Sequence, residues 1–490
     1  MVNYRILSIH LKLMRQDLRR WIQEATEAGE LVTLRGVHWK VEMGAVADLA
    51  GRQPHAPALL FDQVPGYPPG YRVLVNSLAS PARVARSAGL SPGLVPLAAV
   101  RAWKERYSAI TYQPYRVVPE GPLLQNRLAG SAIDLFRFPA PQWRTGDGGR
   151  YLGTGTLCVT QDPVEGSINV GTARVMIHDA THVFYRVSAG KDSRRHFEQA
   201  HQRNRRLPIA ISFGHDPSLL MVGGLNIPYG VCEYDVWGGL MGEVLEAIET
   251  PIYKLPVPSH AELVIEGEVL TDLTAAEGPF GEWSGYYSRS ARPEPLIEVQ
   301  AIYHRDDPVI LGIATSRPPS ELTTFWAVFR SALLWDQLEK AGIGPIHGVW
   351  CHPAAGTRLF IVISLRQTHP GHARQALMAA ASLPAGAYMG RYLVAVDEDI
   401  DPADLDSVLW AMGTRSDPEK DVDLIRGAWG GPLDPAVGPE GKGLNSRLFI
   451  DACKPYGSDS AFPQVAGYSE AEKKRAREIW NQLPQKIDHQ

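Results

Sequence analysis

The segment EGSINVGTARVMIHD places Asn169, Gly171, Thr172 and Arg174 on one short connection leading into a strand. Glycine and small hydroxyl residues let a ligand oxyanion approach backbone N–H groups, and the Arg guanidinium is a planar fork for a carboxylate or phosphate. Read alone, the same connection serves equally as a structural turn. His196 opens a helix after a basic run, and Glu233 follows the apolar, Pro-containing LNIPYGVC. Asn, His and Glu donors suit a hard or borderline divalent ion such as Mg or Mn. Their separations of 27 and 37 residues form no metal motif, however, and a capped helix end and a solvated Glu satisfy the same pattern. The sharpest local feature is TAAEGPFGEWSGYY. Glu277 and Glu282 bracket a GPFG turn that can bring both side chains into one cleft beside Trp283, Tyr286 and Tyr287. Close carboxylates in an apolar setting push one pKa upward, which suits a proton donor near neutral pH; a solvated hairpin tip with two unconnected acids is the alternative.

Several elements must position these groups. Leu18, Trp21, Ile22 and Ala25 recur at helical spacing after a cap at Asp17, before the strand-like ELVTL. ALLFDQV and RVLVNSL flank the turn-rich GYPPGY as strands, LVPLAAVRAWKERY reads as a helix, and residues 1–115 are therefore expected to be α/β. From 116 to about 315 short β-rich pieces prevail, including GTLCVTQD, ARVMIHD, AELVIEGEVL, LIEVQAIYH and PVILGI. Among them RRHFEQAHQRN and VWGGLMGEVLEAI read as helices, and the pattern is that of a barrel or sandwich decorated by helices. After SRPPSE the chain turns α/β again, with strands at RLFIVISL and YLVAVDEDI and helices at HARQALMAAAS and from about Asp404. The tail carries a charged helix, SEAEKKRAREIWNQL, suited either to docking on a neighbouring subunit or to solvent.

Composition narrows the function classes. In 490 residues, 49 Lys and Arg nearly balance 53 Asp and Glu, which argues against a surface devoted to nucleic acid or anionic lipid. Four scattered cysteines with no CxxC pair exclude a zinc ribbon and fit a reducing cytoplasm. No window of 18 uninterrupted apolar residues offers a membrane span, and the opening MVNYRILSIHLKLMRQDLRR does not read as a signal peptide.

Taken in series, EGSINVGTARVMIHD, RRH, IPYGVCE, EGPFGEWSGYY and YLVAVDEDIDPADLDSVLWAMGTR resemble the UbiD family of decarboxylases, which use prenylated FMN. DLFRFPAPQW and DGGRYLGTGTLCVTQDP extend the resemblance over about residues 17 to 455. It implies an α+β fold in four parts: an N-terminal α/β region (1–115), a split β-barrel like that of flavin reductases carrying cofactor and catalysis (116–324), a C-terminal α/β oligomerisation domain (325–450), and a tail with a helix (451–490).

Carried over residue by residue, the resemblance implies that Asn169, His196 and Glu233 hold Mn2+ or Mg2+ against the flavin phosphate. The carbonyls of Val222, Gly223 and Leu225, with Glu233, would hold K+ or Na+. Cofactor contacts come from Asn169, Val170, Gly171, Thr172, Ala173 and Arg174, joined by Arg195, His196, Gly223, Gly224, Glu233 and Arg391. Gly223 and Gly224 stand where relatives often carry hydroxyls, and Arg391 stands where they commonly offer Lys. The catalytic set is Arg174, Glu277 and Glu282. Arg174 fixes the substrate carboxylate and keeps Glu277 ionised, which leaves Glu282 as proton donor. The substrate pocket wall is expected from LTTFW (Leu322 to Trp326), with Leu322 and Thr323 lining it, and from the DPAVGPEGKG loop at Val437.

The implied activity is non-oxidative, reversible decarboxylation of an α,β-unsaturated or aromatic carboxylic acid, with the cofactor as electron sink. Implied partners are the acid, a flavin prenyltransferase that supplies the cofactor, and further copies of the chain in a homodimer or homohexamer. A biosynthetic decarboxylase of a larger acid, of polyketide or polyprenyl-hydroxybenzoate type, is the alternative within the class. A non-catalytic flavin-binding protein of the same fold would have no need of the paired acids, and a hydrolase lacks a GxSxG elbow or HExxH helix.

Overall fold

The computed structural model describes residues 15–53, 55–188, 190–431, 433–437, 443–458 and 461–482. Most of the N-terminal segment weighed as a signal peptide, and residues 438–442 of the DPAVGPEGKG loop, lie outside them. The first helix, Leu18–Glu27, starts where expected. Asp17 Oδ1 accepts from the Arg19 N–H at 3.0 Å, satisfying one of the free donors of the first turn. Its buried face is Leu18, Trp21 and Ala25.

Strands Leu31–Arg35, Ala58–Asp62 and Arg72–Val75 form the first sheet, and its fourth strand comes from far along the chain. Val309–Leu311, the PVILGI segment expected among the central strands, pairs in parallel with Arg72–Val75. The local pattern of such a strand is the same whichever sheet receives it, so only the long-range pairing decides.

The central part is an antiparallel sheet in the order His182–Phe184, Arg292–His304, Leu263–Glu277, Leu207–Phe213, Thr156–Gln161, Ile168–Gly171, with Asn126–Ala129 also on Arg292–His304. Leu263–Glu277 is its longest strand. Between Val269 and Thr274 its register against Arg292–His304 shifts, and such an irregularity re-aims the side chains that follow. The helix read over VWGGLMGEVLEAI is shorter than expected. It spans Glu233–Met241 and ends where Gly242 turns left-handed, after which Glu246–Glu249 is a strand against Pro256–Pro258.

The C-terminal unit is a five-stranded mixed sheet, Ile346–Cys351, Phe360–Leu365, Tyr392–Asp397, Leu444–Ala452, Val422–Trp429, with helices His372–Ser382 and Leu405–Arg415. Helix Glu321–Lys340 joins the parts: Phe329 meets Trp103 of helix Pro96–Ser108 with ring centroids 4.4 Å apart. One apolar cluster runs from Leu18 and Trp103 through Phe325 to Ile361 and Leu393. The tail helix Glu470–Asn481 has no buried residue, and Ile479 and Trp480 are exposed. The whole is a mixed α+β architecture.

Candidate active site

Glu277 is the last residue of its strand, and Glu282 lies five residues on, past the GPFG turn. Both carboxylates reach one guanidinium. Arg174 Nε and Nη2 donate to the two Glu277 oxygens at 2.9 and 3.0 Å, and Nη1 donates to Glu282 Oε1 at 2.7 Å. The Phe280 ring lies 4.7 Å from the Arg174 Cζ, a cation over an aromatic face, and packs in turn against Tyr151 at a 55° tilt. Glu277 is 2% exposed, and its carboxylate is approached by a second guanidinium, Arg186 Nε, at 3.7 Å. Two acids hold the Arg174 pKa above its ordinary value despite burial. Tyr151 is pushed up by burial and the neighbouring acids, so its hydroxyl stays protonated.

The turn itself is gripped from the DGGRYLG segment. Asp147 Oδ1 accepts from the Gly281 N–H and the Tyr287 hydroxyl, both at 3.2 Å, while Oδ2 accepts from the Arg144 N–H at 2.9 Å. Burial raises the Asp147 pKa against these bonds. Of the aromatics expected at the cleft, Trp283 is buried, whereas Tyr286 and Tyr287 are exposed.

A second constellation forms around Thr160. Its backbone pairs with Asn169 across the two strands, and its hydroxyl lies 2.9 Å from His196 Nδ1, with the buried Nε2 3.7 Å from Asp162 Oδ2. Next to Asn169, the Val170 N–H donates to Glu233 Oε2 at 2.7 Å. Asn169, His196 and Glu233, far apart in sequence, thus converge. Burial pushes Glu233 up to about 7 and lowers His196, leaving a carboxylate short of positive charge beside a neutral imidazole. Asn169 Nδ2 is buried with no hydrogen-bond partner. Neutral imidazole, amide and an under-compensated carboxylate suit a divalent cation. Among the described residues no group of three His, Cys, Asp or Glu side chains is placed to hold a metal; here the third donor is an amide.

A cavity of about 800 Å3 lies between this region and helix Glu321–Lys340. Thr172, Gly224 and Leu225 border it. A Cβ on Gly224 would meet the Trp326 ring at 2.7 Å, so the position where the resemblance suggests a hydroxyl is bare because an indole fills the space. Val222 and Gly223 end the buried helix Pro217–Gly223, with Gly223 packed toward the Val170 carbonyl. Arg195 lies over the Tyr229 ring at 3.7 Å, and Arg391 is bound to Asp434.

Leu322 and Thr323 do not line the cavity. Leu322 packs on the core and the Thr323 hydroxyl accepts from the Ser320 N–H in a capping box, so of LTTFW only Trp326 lines the cavity, followed by Phe329 and Arg330. Near Val437 it is Leu433 that borders the cavity. Sequence reasoning missed Arg186, Arg330, Arg358 and Tyr388, cavity residues that belong to no motif.

Three family models match the chain: the 3-octaprenyl-4-hydroxybenzoate carboxy-lyase N-terminal domain over residues 22–98, the Rift-related domain over 116–318 and the C-terminal domain over 323–452. A pyrrole-2-carboxylic acid decarboxylase of Pseudomonas aeruginosa is 32% identical over 460 residues, covering 90% of this chain and 91% of that protein. A phenolic acid decarboxylase of Streptomyces sp. strain D7 is 31% identical over 452 residues, covering 90% and 93%. The structure of an evolved dimeric form of the UbiD-class enzyme HmfF from Pelotomaculum thermopropionicum, in complex with prFMN, superposes with a TM-score of 0.79 at 26% identity, covering 93% and 99%.

Proposed function

The chain belongs to the UbiD family, and from that premise we propose that the Arg174, Glu277 and Glu282 cluster is where it removes CO2 from a carboxylic acid. It is a carboxy-lyase acting without net oxidation on an aromatic or α,β-unsaturated acid, with prenylated FMN as cofactor. The balance is RCO2− + H+ giving RH + CO2. The C–C bond to the carboxyl carbon breaks and the vacated carbon receives a proton. Prenylated FMN, when bound, supplies the electron sink for the pair released from that bond.

The observation that carries the residue roles is the single guanidinium shared by two unlike carboxylates. Three of its five N–H groups are engaged, one on each nitrogen, leaving two for a substrate carboxylate. Glu277, clamped on both oxygens with Arg186 behind it, is fixed in place and orients Arg174. Glu282, held by one bond on a turn, is the group free to take a proton from solvent and deliver it to the carbon.

In this reading Asn169, His196 and Glu233 bind Mn2+ or Mg2+ at the flavin phosphate, with Val170 to Ala173, Arg195 and Gly224 around the cofactor and Arg391 exchanging Asp434 for the phosphate. K+ or Na+ sits at the carbonyls of Val222, Gly223 and Leu225 beside Glu233. The under-compensated Glu233 supports the divalent site, and the unpartnered Asn169 Nδ2, a donor, suits a phosphate oxygen beside it. A flavin prenyltransferase supplies the cofactor, the C-terminal unit (325–450) makes a homodimer or homohexamer, and the compartment is the cytoplasm. Among the described residues no helix is long and apolar enough to cross a membrane.

The test is protein produced together with a flavin prenyltransferase. Native mass spectrometry is expected to find a flavin heavier than FMN by one C5 unit plus a divalent ion, and a panel of aromatic and acrylic acids is expected to release CO2. Fully loaded protein that releases none from any acid would overturn the assignment.

A further inference from the structure

The charges that border the cavity do not balance. Its two lining carboxylates are already engaged: Glu294 by Arg292 at 2.8 Å and Arg186 at 3.4 Å, Asp336 by Lys340 at 2.7 Å. Arg330 and Arg358 face the same cavity with no carboxylate on either among the described residues. Arg330 gives Nη1 to the Ala385 carbonyl at 3.2 Å, and its Nε is buried without a partner. Arg358 has its Cζ 5.3 Å from the Trp283 ring and 5.3 Å from the Tyr388 ring. Burial and mutual repulsion lower the Arg358 pKa, and burial lowers that of Arg330.

Keeping two guanidinium groups together in a desolvated wall costs free energy that the protein's own acids do not offset. A rigid fork steadied by two aromatic faces is what a planar oxyanion needs. Trp283 follows Glu282 in the chain, so Arg358 leans on the segment that carries the proton donor. That position favours the reacting acid over the cofactor phosphate as the source of the anion.

We propose that the acid carries a second anionic group on its aromatic or unsaturated frame, a carboxylate or comparable oxyanion, and that Arg358, with Arg330 beside it, receives that group. The inference rests on the cavity being the decarboxylation site and adds the substrate class.

The experiment uses flavin-loaded wild type, Arg358→Gln, Arg358→Lys and Arg330→Gln. The probes are pyrrole-2-carboxylate against pyrrole-2,5-dicarboxylate, and benzoate against benzene-1,3- and 1,4-dicarboxylate. Both kcat/KM and the dissociation constant, read from flavin absorbance, are measured. Wild type is expected to favour at least one diacid over its monoacid by roughly 10- to 100-fold, the scale of a charge-assisted bond to a desolvated partner. Arg358→Gln is expected to abolish that preference while monoacid values and flavin content stay within about threefold. Arg358→Lys, with charge but no fork, should recover part of it, and Arg330→Gln should lose less than Arg358→Gln. The proposal is overturned if wild type prefers none of the diacids, if Arg358→Gln weakens mono- and diacids alike, or if it sheds flavin, which would assign the arginine to the phosphate. Diacid binding that depends on Arg358 without CO2 release would keep this proposal and sink the decarboxylase assignment instead.

Discussion

Arg174 is met by two carboxylates at 2.7 to 3.0 Å, whereas Arg358 is met by two aromatic rings and, among the described residues, by no carboxylate. The first group is neutralised by the fold and keeps its geometry with nothing bound. The second spends folding energy to hold a charge open. A buried ion cluster of the first kind is weak evidence for stability but strong evidence for position, because removing one member strands the others. An open guanidinium says instead what has to arrive. Glu233, whose pKa burial pushes up to about 7, is the second case with the sign reversed, a buried carboxylate short of positive charge.

The comparison breaks most severely at its centre. Arg174→Ala should leave Glu282 without its 2.7 Å partner and Glu277 with only the more distant Arg186 at 3.7 Å. The expected outcome is turnover reduced by roughly 10⁴-fold or more and unfolding stability lowered by about 3 to 5 kcal/mol, read in a urea titration. An Arg174→Ala protein with wild-type stability would show that the cluster is not the preformed unit described here. At the cation set, Thr160→Val removes the hydroxyl that orients the His196 ring. It should weaken Mn2+ affinity by roughly 10- to 100-fold and lower flavin retention with it, measured by elemental analysis and absorbance. Unchanged metal content would return His196 and Glu233 to a structural role.

Two smaller effects sharpen the contrast. Asp147→Ala frees the Gly281 N–H and the Tyr287 hydroxyl, loosening the turn under Glu282 but not the Arg174 pair with Glu277. It is expected to cost roughly 10- to 100-fold in kcat with flavin content unchanged, because misplacing a reacting group by an ångström has effects of that size. Gly224→Ala should overpack against Trp326 and cost about 1 to 3 kcal/mol in thermal unfolding, and Trp326→Leu in the same chain should restore most of it. Additive losses would contradict the contact.

The parts legible in the sequence are those whose signal is local. The Asp17 cap and the 18, 21, 22, 25 spacing gave the first helix, and the EGPFGE turn announced two acids that meet. The roles of Arg174 and of the residues around Thr160 emerged only through a series of motifs, because side-chain contacts reach their partners across more than 100 and more than 60 residues. What stayed hidden depends on long-range placement. PVILGI carries no mark of the sheet it joins, and VWGGLMGEVLEAI conceals a stop at Gly242 whose left-handed backbone separates helix from strand. Arg330 lies on helix Glu321–Lys340 and Arg358 on the turn before strand Phe360–Leu365, with no spacing between them that periodicity could detect. Of the LTTFW wall only Trp326 faces the cavity, because the cap buries Thr323 and turns the helix so that its next residues inward are Phe329 and Arg330.

The most direct test of the central claim is proton delivery by Glu282, measured with the flavin-loaded Glu282→Gln variant in D2O. The wild type is expected to place one deuterium at the carbon that carried CO2 and to exchange that position slowly in released product. The variant, with fold, metal and flavin intact, is expected to lose decarboxylation and exchange in parallel by roughly 10²- to 10⁴-fold. Near wild-type decarboxylation and exchange in Glu282→Gln would contradict the account and move the proton to Glu277 or to water.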